Sequence, residues 1–311
     1  MNKKYFLITD LGSNSVRMDV IQVRENGLFR VAERKRKSCR LSEGLTEENC
    51  LTEEAMDRTV GVLRKLRETA EKFPLCCEFS VATEALRRAE NREEFIRRAQ
   101  EEAGFSFTVI DGRQEAYYDF LGTVESMPLR DFLLLDTGGG SSELVLVRDR
   151  KMQESCCIPY GSITLTEQFA KGASVNEEEY GAAGEMLRRL WADMPWLAQA
   201  EGLPVVGLGG SIRTVVKIQQ RKKGEDVPVH QYQVFADELR QFREEILRMN
   251  HQQRKSIAGM DPLRADIITG GILPLDTLME AVHSPALIAS ANGLREGLCY
   301  EKCKEVIARY F

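Results

Sequence analysis

The sequence predicts a mixed α/β protein built from two halves with a related organisation. Each half opens with strands joined by a turn rich in glycine and serine, within 6–20 in the first half and 132–147 in the second. Each half then alternates helices with strands, a pattern typical of sheets covered by helices. The stretch "GTVESMPLRD" at 122–131 breaks this pattern and predicts a boundary between domains 1–125 and 126–311.

Three predicted strands open the first half, at 5–9, 15–23 and 28–36. The turn "ENG" separates the second strand from the third. A helix over 52–72 is expected to begin at Thr52, because threonine is a good N-cap and glutamates follow in the first turn. The remaining predicted elements are strand 78–83, helix 91–103, strand 107–110 and helix 112–125.

The second half repeats the opening of three strands and then contains more helix. The most polar stretch of the chain, 219–233, is expected to be a surface loop. The predicted elements in order are strands 132–136, 142–147 and 151–158, helices 161–170 and 176–193, strand 204–209, helices 211–221, 236–248 and 263–280, strand 286–290 and helix 294–309.

Composition excludes several functional classes. With a net charge of −5, the 311-residue chain has no general attraction to nucleic acid or to an anionic membrane. No apolar run approaches the ~20 residues of a membrane span. The first residues lack a small-residue cleavage site, so we expect no signal peptide. The eight cysteines form no CxxC pair and there are only three histidines, so we expect reduced thiols in a cytoplasmic protein rather than a zinc site.

The two glycine-rich turns have the composition of phosphate-binding loops. "DLGSNS" begins at Asp10, and "DTGGGSSEL" contains Asp136 and Glu143. Glycine lets a phosphate approach the main chain closely, and successive N–H groups then donate to it. The carboxylates would repel a phosphate unless a hard cation lay between them, and Mg²⁺ takes one or two carboxylates while bridging to phosphate oxygens.

Glycine-rich turns also simply connect strands, and one such turn would not decide between these interpretations. A third loop, "GLGGSIRT" at 207–214, follows a strand and opens a helix, where anions often bind. It is neither a Walker loop nor GxGxxG, so P-loop and dinucleotide sites lose their main support. Two acidic turns in corresponding places, together with this third loop, favour phosphate binding.

These motifs carry a resemblance to a known family. "ITDLGSNSVRMDV", "DTGGGSSELV" and "GLGGSIRT" are similar to the two phosphate motifs and the third nucleotide-region motif of the actin, hexokinase and sugar-kinase superfamily. Within it, "CRLSEGL", "VATEALRRAENREEF", "IDGRQEAYYDFLG", "LRADIITGG" and "GLREGL" resemble the exopolyphosphatase/guanosine pentaphosphate phosphohydrolase (Ppx/GppA) family, short two-domain type. The resemblance implies two ribonuclease-H-like (actin-like ATPase) domains with the active site in the cleft between them.

The resemblance also implies roles for individual residues. Glu115 falls on the catalytic glutamate that activates water, and the metal-holding acids are Asp10, Asp136 and Glu143. One departure is Glu84, where family members usually carry a small residue; it would pair with Arg87 or weaken the binding of a polyanion. The implied phosphate-binding residues are Ser13, Asn14, Arg87, Gly138, Gly139, Gly140, Ser141, Ser142, Gly209, Gly210 and Ser211.

We therefore expect a cytoplasmic, Mg²⁺-dependent exopolyphosphatase that releases orthophosphate from inorganic polyphosphate. One alternative is a guanosine pentaphosphate 5′-phosphohydrolase or a nucleoside triphosphatase, which would use the same site. An alternative of another class is a non-catalytic sensor of polyphosphate or guanosine tetraphosphate. A sugar or acetate kinase is disfavoured, since no equivalent of its catalytic aspartate accompanies Glu115. The resemblance also suggests a homodimer, with no membrane or nucleic-acid partner.

Overall fold

The computed structural model describes residues 3–43, 45, 49–169 and 175–311. The chain divides into two compact units, one formed by the residues up to Gly122 together with Leu294–Phe311, the other by Thr123–Gly293. Each unit contains one sheet, which confirms the predicted mixed α/β class. The division at 125/126 stays a prediction, and the contacts group the last helix with the first unit.

The secondary structure follows the predicted order closely. The strands are β1 (Lys3–Leu11), β2 (Ser15–Arg24), β3 (Phe29–Ser38), β4 (Leu75–Ala82), β5 (Phe107–Val109), β6 (Phe132–Thr137), β7 (Ser142–Arg148), β8 (Lys151–Ile158), β9 (Val205–Leu208), β10 (Gln233–Phe235) and β11 (Ala286–Ala289). The helices are α1 (Glu53–Ala70), α2 (Glu84–Arg88), α3 (Arg92–Ala103), α4 (Gly112–Val124), α5 (Ser162–Phe169), α6 (Glu177–Ala192), α7 (Gly209–Lys223), α8 (Ala236–Leu247), α9 (His251–Lys255), α10 (Ile268–Ala281) and α11 (Leu294–Tyr310), with a 3₁₀ turn at Pro195–Ala200.

The first unit is a five-stranded sheet in the order β3-β2-β1-β4-β5. Strands β1 to β3 form the predicted antiparallel meander, while β4 and β5 run parallel to β1. Successive side chains of a strand point to opposite faces. Leu7 and Leu11 of β1 therefore join the core under α1 and α3, whereas Phe6 and Ile8 join the core under α11. Thr52 caps α1 as predicted, accepting the Ala55 N–H at 3.2 Å.

The second unit is a six-stranded sheet in the order β10-β11-β9-β6-β7-β8. Its core is continuous from β6 and β7 to the buried helix α10, where the Trp191 indole donates to Thr277 Oγ1 at 3.0 Å. The predictions missed β10, α9 and the 3₁₀ turn here and α2 in the first unit, because segments this short show no hydrophobic period. Helix α10 begins at Ile268 rather than at 263, since residues 262–267 form turns.

The end of the helix predicted over 161–170 lies outside the described residues at 170, and α5 covers most of the rest. Among the helices of the described ranges, none is long and apolar enough to cross a membrane.

Candidate active site

The two glycine-rich turns have the same construction, one in each unit. We call the turn at 12–15 the first loop and the turn at 138–141 the second loop. The Gly12 N–H donates to Ser15 O at 3.1 Å, and the Gly138 N–H donates to Ser141 O at 3.0 Å. Both are tight hairpin turns with two residues at the tip. The correspondence expected from the sequence is therefore present in the backbone.

The carbonyl groups of the second loop are held by the start of α5. The Ser162 N–H donates to Gly138 O at 2.9 Å, and the Ile163 N–H donates to Gly139 O at 2.8 Å. Within the described part of the chain, the N–H groups of Gly139 and Gly140 donate to no protein acceptor. Each peptide unit that turns its C=O toward α5 turns its N–H away from it, so these amides are available to an anion.

The first loop is held in a comparable way by residues 39–42. The N–H groups of Cys39 and Arg40 donate to Asn14 O at 3.1 and 3.0 Å, and that of Ser42 donates to Ser13 O at 3.3 Å. The amides of Ser13 and Asn14 donate to no acceptor within 3–43, 45, 49–169 and 175–311. Both loops thus anchor their carbonyls and leave the amides of their two tip residues for a ligand.

At the first and second loops, the hydroxyls of the three serines assigned to phosphate binding donate to protein groups. What remains for a phosphate at both loops is chiefly backbone N–H. The three hydrogen bonds are Ser13 Oγ to Glu84 at 3.2 Å, Ser141 Oγ to Glu143 at 2.8 Å and Ser142 Oγ to Tyr160 O at 2.7 Å.

The strand register places a charged pair at the base of each loop. Asp10 lies opposite Arg17 in β1 and β2, and Asp136 lies opposite Glu143 in β6 and β7. Arg17 forms an ion pair with Asp10 at 3.6 Å. Burial raises the pKa of Asp10, and Arg17 opposes that rise. The first pair therefore combines opposite charges, whereas the second brings two carboxylates together.

Two facing carboxylates fit a divalent cation that keeps part of its water shell. Glu143 is 1% exposed and accepts hydrogen bonds from Ser141 Oγ at 2.8 Å and from Cys157 Sγ at 3.1 Å. No cluster of three or more histidine, cysteine, aspartate or glutamate side chains suited to a metal is found in the described residues. The paired carboxylates of Asp136 and Glu143 therefore fit a divalent cation that takes phosphate and water oxygens as its remaining ligands.

The third loop adjoins the second through the parallel pairing of β6 and β9, in which Asp136 lies opposite Leu208. Gly209 has a φ of +93°, and a Cβ built there would lie 2.6 Å from Thr137 O and 2.8 Å from Asp136 Oδ1. Both the conformation and the space therefore require glycine. The first amides of α7 begin here, and the first N–H groups of a helix have no partner within it.

The next residues of the third loop are packed against later parts of the chain. A Cβ at Gly210 would lie 1.9 Å from the guanidinium carbon of Arg264, which is 6% exposed. Ser211 is fully buried, and its hydroxyl faces Gly271. Arg264 lies in the quoted "LRADIITGG" stretch, but no pattern in the sequence predicts its place beside Gly210.

Glu115 lies in the first turn of α4 and forms an ion pair with Arg87, with Nη1 and Oε2 3.0 Å apart. The same nitrogen of Arg87 donates to Ile110 O at 3.0 Å. The two residues singled out from separate motifs are therefore in direct contact. Glu84 forms its ion pair with Arg88, four residues later, at 3.3 Å. The pairing of Glu84 with Arg87 that was considered from the sequence is therefore wrong, because Arg87 pairs with Glu115.

The chain matches the Ppx/GppA phosphatase family over residues 20–306. It belongs to this family. Its members hydrolyse phosphoric anhydrides, so the expected class of enzyme is confirmed. Phosphohydrolases of this kind generally depend on a metal.

Curated relatives carry two names. A putative exopolyphosphatase of Haemophilus influenzae is 28% identical over 96% of this chain and 91% of its own length. A guanosine-5′-triphosphate,3′-diphosphate pyrophosphatase of Vibrio vulnificus is 28% identical over 98% of this chain, which spans only 60% of that relative. The expected function and its first alternative both agree with these names.

Solved structures of relatives have the same fold. The Ppx/GppA family member of Aquifex aeolicus is 28% identical, covers 100% of both chains and superposes with a TM-score of 0.80. An exopolyphosphatase of Cytophaga hutchinsonii is 23% identical, covers 97% of this chain and 98% of its own, and gives a TM-score of 0.87, which supports the fold alone. The two-domain actin-like ATPase fold expected from the sequence is confirmed.

Proposed function

We propose that this Ppx/GppA phosphatase is an exopolyphosphatase, which releases terminal orthophosphate from inorganic polyphosphate. The observation that carries this proposal is the second loop, where the amides of Gly139 and Gly140 are left for an anion beside Asp136 and Glu143. The exopolyphosphatase relative supports it, because this chain spans nearly that whole protein. All eight cysteines lie in the described residues and none forms a disulfide, which supports our placing the reaction in the cytoplasm.

In the proposed reaction, a water oxygen attacks the terminal phosphorus. The bond from that phosphorus to the bridging oxygen breaks, and the bridging oxygen leaves with the shortened chain. Glu115 accepts the proton of the attacking water, and Arg87 contacts the phosphate chain. The amides of the second loop donate to the phosphate oxygens as their negative charge is redistributed.

We propose further that Mg²⁺ is the metal and that Asp136 and Glu143 hold it. When bound, the cation would neutralise phosphate charge and orient the transferred group. Asp10, the third acid assigned from the motifs, already forms an ion pair with Arg17 and is 6% exposed. We propose that it acts through the first loop and contributes less of its charge to the cation.

A second candidate substrate is guanosine pentaphosphate, from which the 5′-terminal phosphate would be removed. Two pyrophosphatases from Vibrio species match 98% and 96% of this chain and favour this candidate. This chain spans 60% and 59% of those relatives. Other nucleoside triphosphates would be cleaved by the same chemistry.

The test is release of orthophosphate from long-chain polyphosphate, guanosine pentaphosphate and ATP, with Mg²⁺ or with EDTA, by the wild type and Glu115→Gln. General-base catalysis contributes about 10²–10⁴-fold, so the variant is expected to lose activity on that scale. Release only from guanosine pentaphosphate would move the assignment to the second candidate. Tight binding of polyphosphate or guanosine tetraphosphate without any release would instead identify a sensor.

A further inference from the structure

Strand register relates Glu84 in the first unit to Ser211 in the second. In the first unit Asp10 lies opposite Val81 of the parallel strand β4, and in the second Asp136 lies opposite Leu208 of the parallel strand β9. Three residues beyond each partner come Glu84 and Ser211, both in the first turn of the helix that follows the strand. The two positions are therefore equivalent by topology.

The equivalent positions differ in charge. The second unit presents the neutral sequence Gly209-Gly210-Ser211 beside its phosphate loop. The first unit presents Glu84, which is 6% exposed and accepts the Ser13 hydroxyl at 3.2 Å. Ser13 is a tip residue of the first loop, and its N–H is one of the amides left for an anion. The buried Glu84 carboxylate therefore contacts Ser13, the residue whose N–H would bind phosphate.

Among the described residues, the one cationic side chain in contact with this carboxylate offsets its charge incompletely. Arg88 Nη1 lies 3.3 Å from Glu84 Oε1, and the Arg88 side chain is 41% exposed. Another nitrogen of that guanidinium donates to Asn49 Oδ1 at 2.9 Å. Water screens the positive charge of the half-exposed Arg88 guanidinium, which is also shared with Asn49. The negative charge of the buried Glu84 carboxylate acts on the first loop through protein, where it is screened less.

We propose that Glu84 is a specificity-determining residue, which limits how many phosphate charges the first loop accepts and so favours short phosphoanhydride substrates over long-chain polyphosphate. The repulsion reaches about 10 Å at 0.1 M salt. A long chain places more charges within that distance than tripolyphosphate does, so it is disfavoured more. This inference rests on the proposed phosphoanhydride hydrolysis and specifies its substrate class.

The experiment compares KM and kcat for tripolyphosphate and for long-chain polyphosphate in the wild type and Glu84→Gln. The amide still accepts the Ser13 hydroxyl but carries no charge. KM for the long chain is expected to fall about 5- to 10-fold, while KM for tripolyphosphate falls less than about threefold and kcat is retained. The decrease in KM for the long chain should become smaller as the salt concentration rises from about 50 to about 300 mM.

Two further variants separate charge at this site from general effects. Glu78→Gln removes the same charge from β4 of the same unit, four residues before Ala82, and is expected to leave both KM values unchanged. Arg88→Gln leaves the Glu84 carboxylate without its guanidinium and should shift KM for the long chain upward. Unfolding temperatures of all variants identify any change that comes from misfolding.

Equal KM changes for both substrates, or none, in a folded and active Glu84→Gln protein would overturn the inference while leaving the hydrolase assignment intact. If the wild type released phosphate from neither substrate, the proposed function would fail. The Kd values of the two polyphosphates, measured in EDTA by calorimetry, would then still decide whether Glu84 discriminates between them.

Discussion

The Arg87 guanidinium lies 3.0 Å from the Glu115 carboxylate and holds it against the end of β5 through a second bond to Ile110 O. Only 22% of the Arg87 side chain and 13% of that of Glu115 are exposed. An ion pair this sheltered fixes the direction of the carboxylate. A residue proposed to contact substrate therefore also orients the proposed general base.

We expect Arg87→Gln to lower kcat by about 10- to 100-fold, because a base that is misplaced by about 1 Å loses activity on this scale. Glu115→Gln combined with Arg87→Gln should be no slower than Glu115→Gln alone, since the two residues act as a unit. Arg97→Gln, which removes an exposed arginine paired with Glu101, is the control. A change confined to KM, with full kcat, would contradict the positioning role.

The pair of Asp136 and Glu143 gives a prediction about the metal. Glu143→Gln should raise the half-saturating Mg²⁺ concentration by at least about tenfold, because a carboxylate is replaced by a neutral amide at the proposed ligand position. Glu154→Gln on the neighbouring strand β8 makes the same charge change at an exposed position. Phosphate release titrated with Mg²⁺ measures the effect, and an identical response in both variants would remove Glu143 from the metal site.

Gly209 gives a prediction about stability. Gly209→Ala should destabilise the protein by about 1–3 kcal/mol, because alanine is strained at a φ of +93° and its Cβ would lie 2.6 Å from Thr137 O. Gly181→Ala is the matched control: it lies inside α6 with no atom within 4 Å of a new Cβ. The control should gain about 0.5–1 kcal/mol. Urea unfolding of both proteins measures these changes, and equal stabilities would show that Gly209 is not required.

Asp276 gives a prediction about pH. It is 6% exposed and paired with Arg243 at 2.5 Å, and burial raises its pKa above the ordinary 3.8, against the opposing effect of Arg243. The folded state then binds a proton more tightly than the unfolded state. The stability that this proton contributes is present below pH 3.8 and is lost as pH rises through the raised pKa.

The amide of Asp276→Asn stays neutral at every pH in this range, whereas the wild-type carboxyl ionises. The free energy of unfolding of the variant relative to the wild type should therefore increase as pH rises through the raised pKa of Asp276. Urea unfolding at several pH values between about 4 and 7 measures the difference. Asp237→Asn, at a side chain that is 81% exposed, should show little trend. A relative stability of Asp276→Asn that stays level with pH would be inconsistent with a raised pKa.

Local patterns in the sequence predicted the loops but not what surrounds them. The glycines and the acids at Asp10, Asp136 and Glu143 lie next to strands with clear hydrophobic runs, so their place at the strand ends could be anticipated. Arg264 could not be placed against Gly210, because the intervening residues include the rest of α7, β10, helices α8 and α9 and several turns, whose packing no periodicity specifies. Short elements such as β10 were missed for the same lack of a repeating pattern.

The hydrogen bonds from α5 to the second loop have a consequence for how a ligand is received. With the carbonyls of Gly138 and Gly139 already held by Ser162 and Ile163, the turn is preorganised and its amide dipoles are oriented before any anion arrives. Binding then loses little backbone entropy, since the ordering is completed during folding. The rigidity of the second loop thus comes from its hydrogen bonds to α5, a helix that supplies none of the residues assigned to the chemistry.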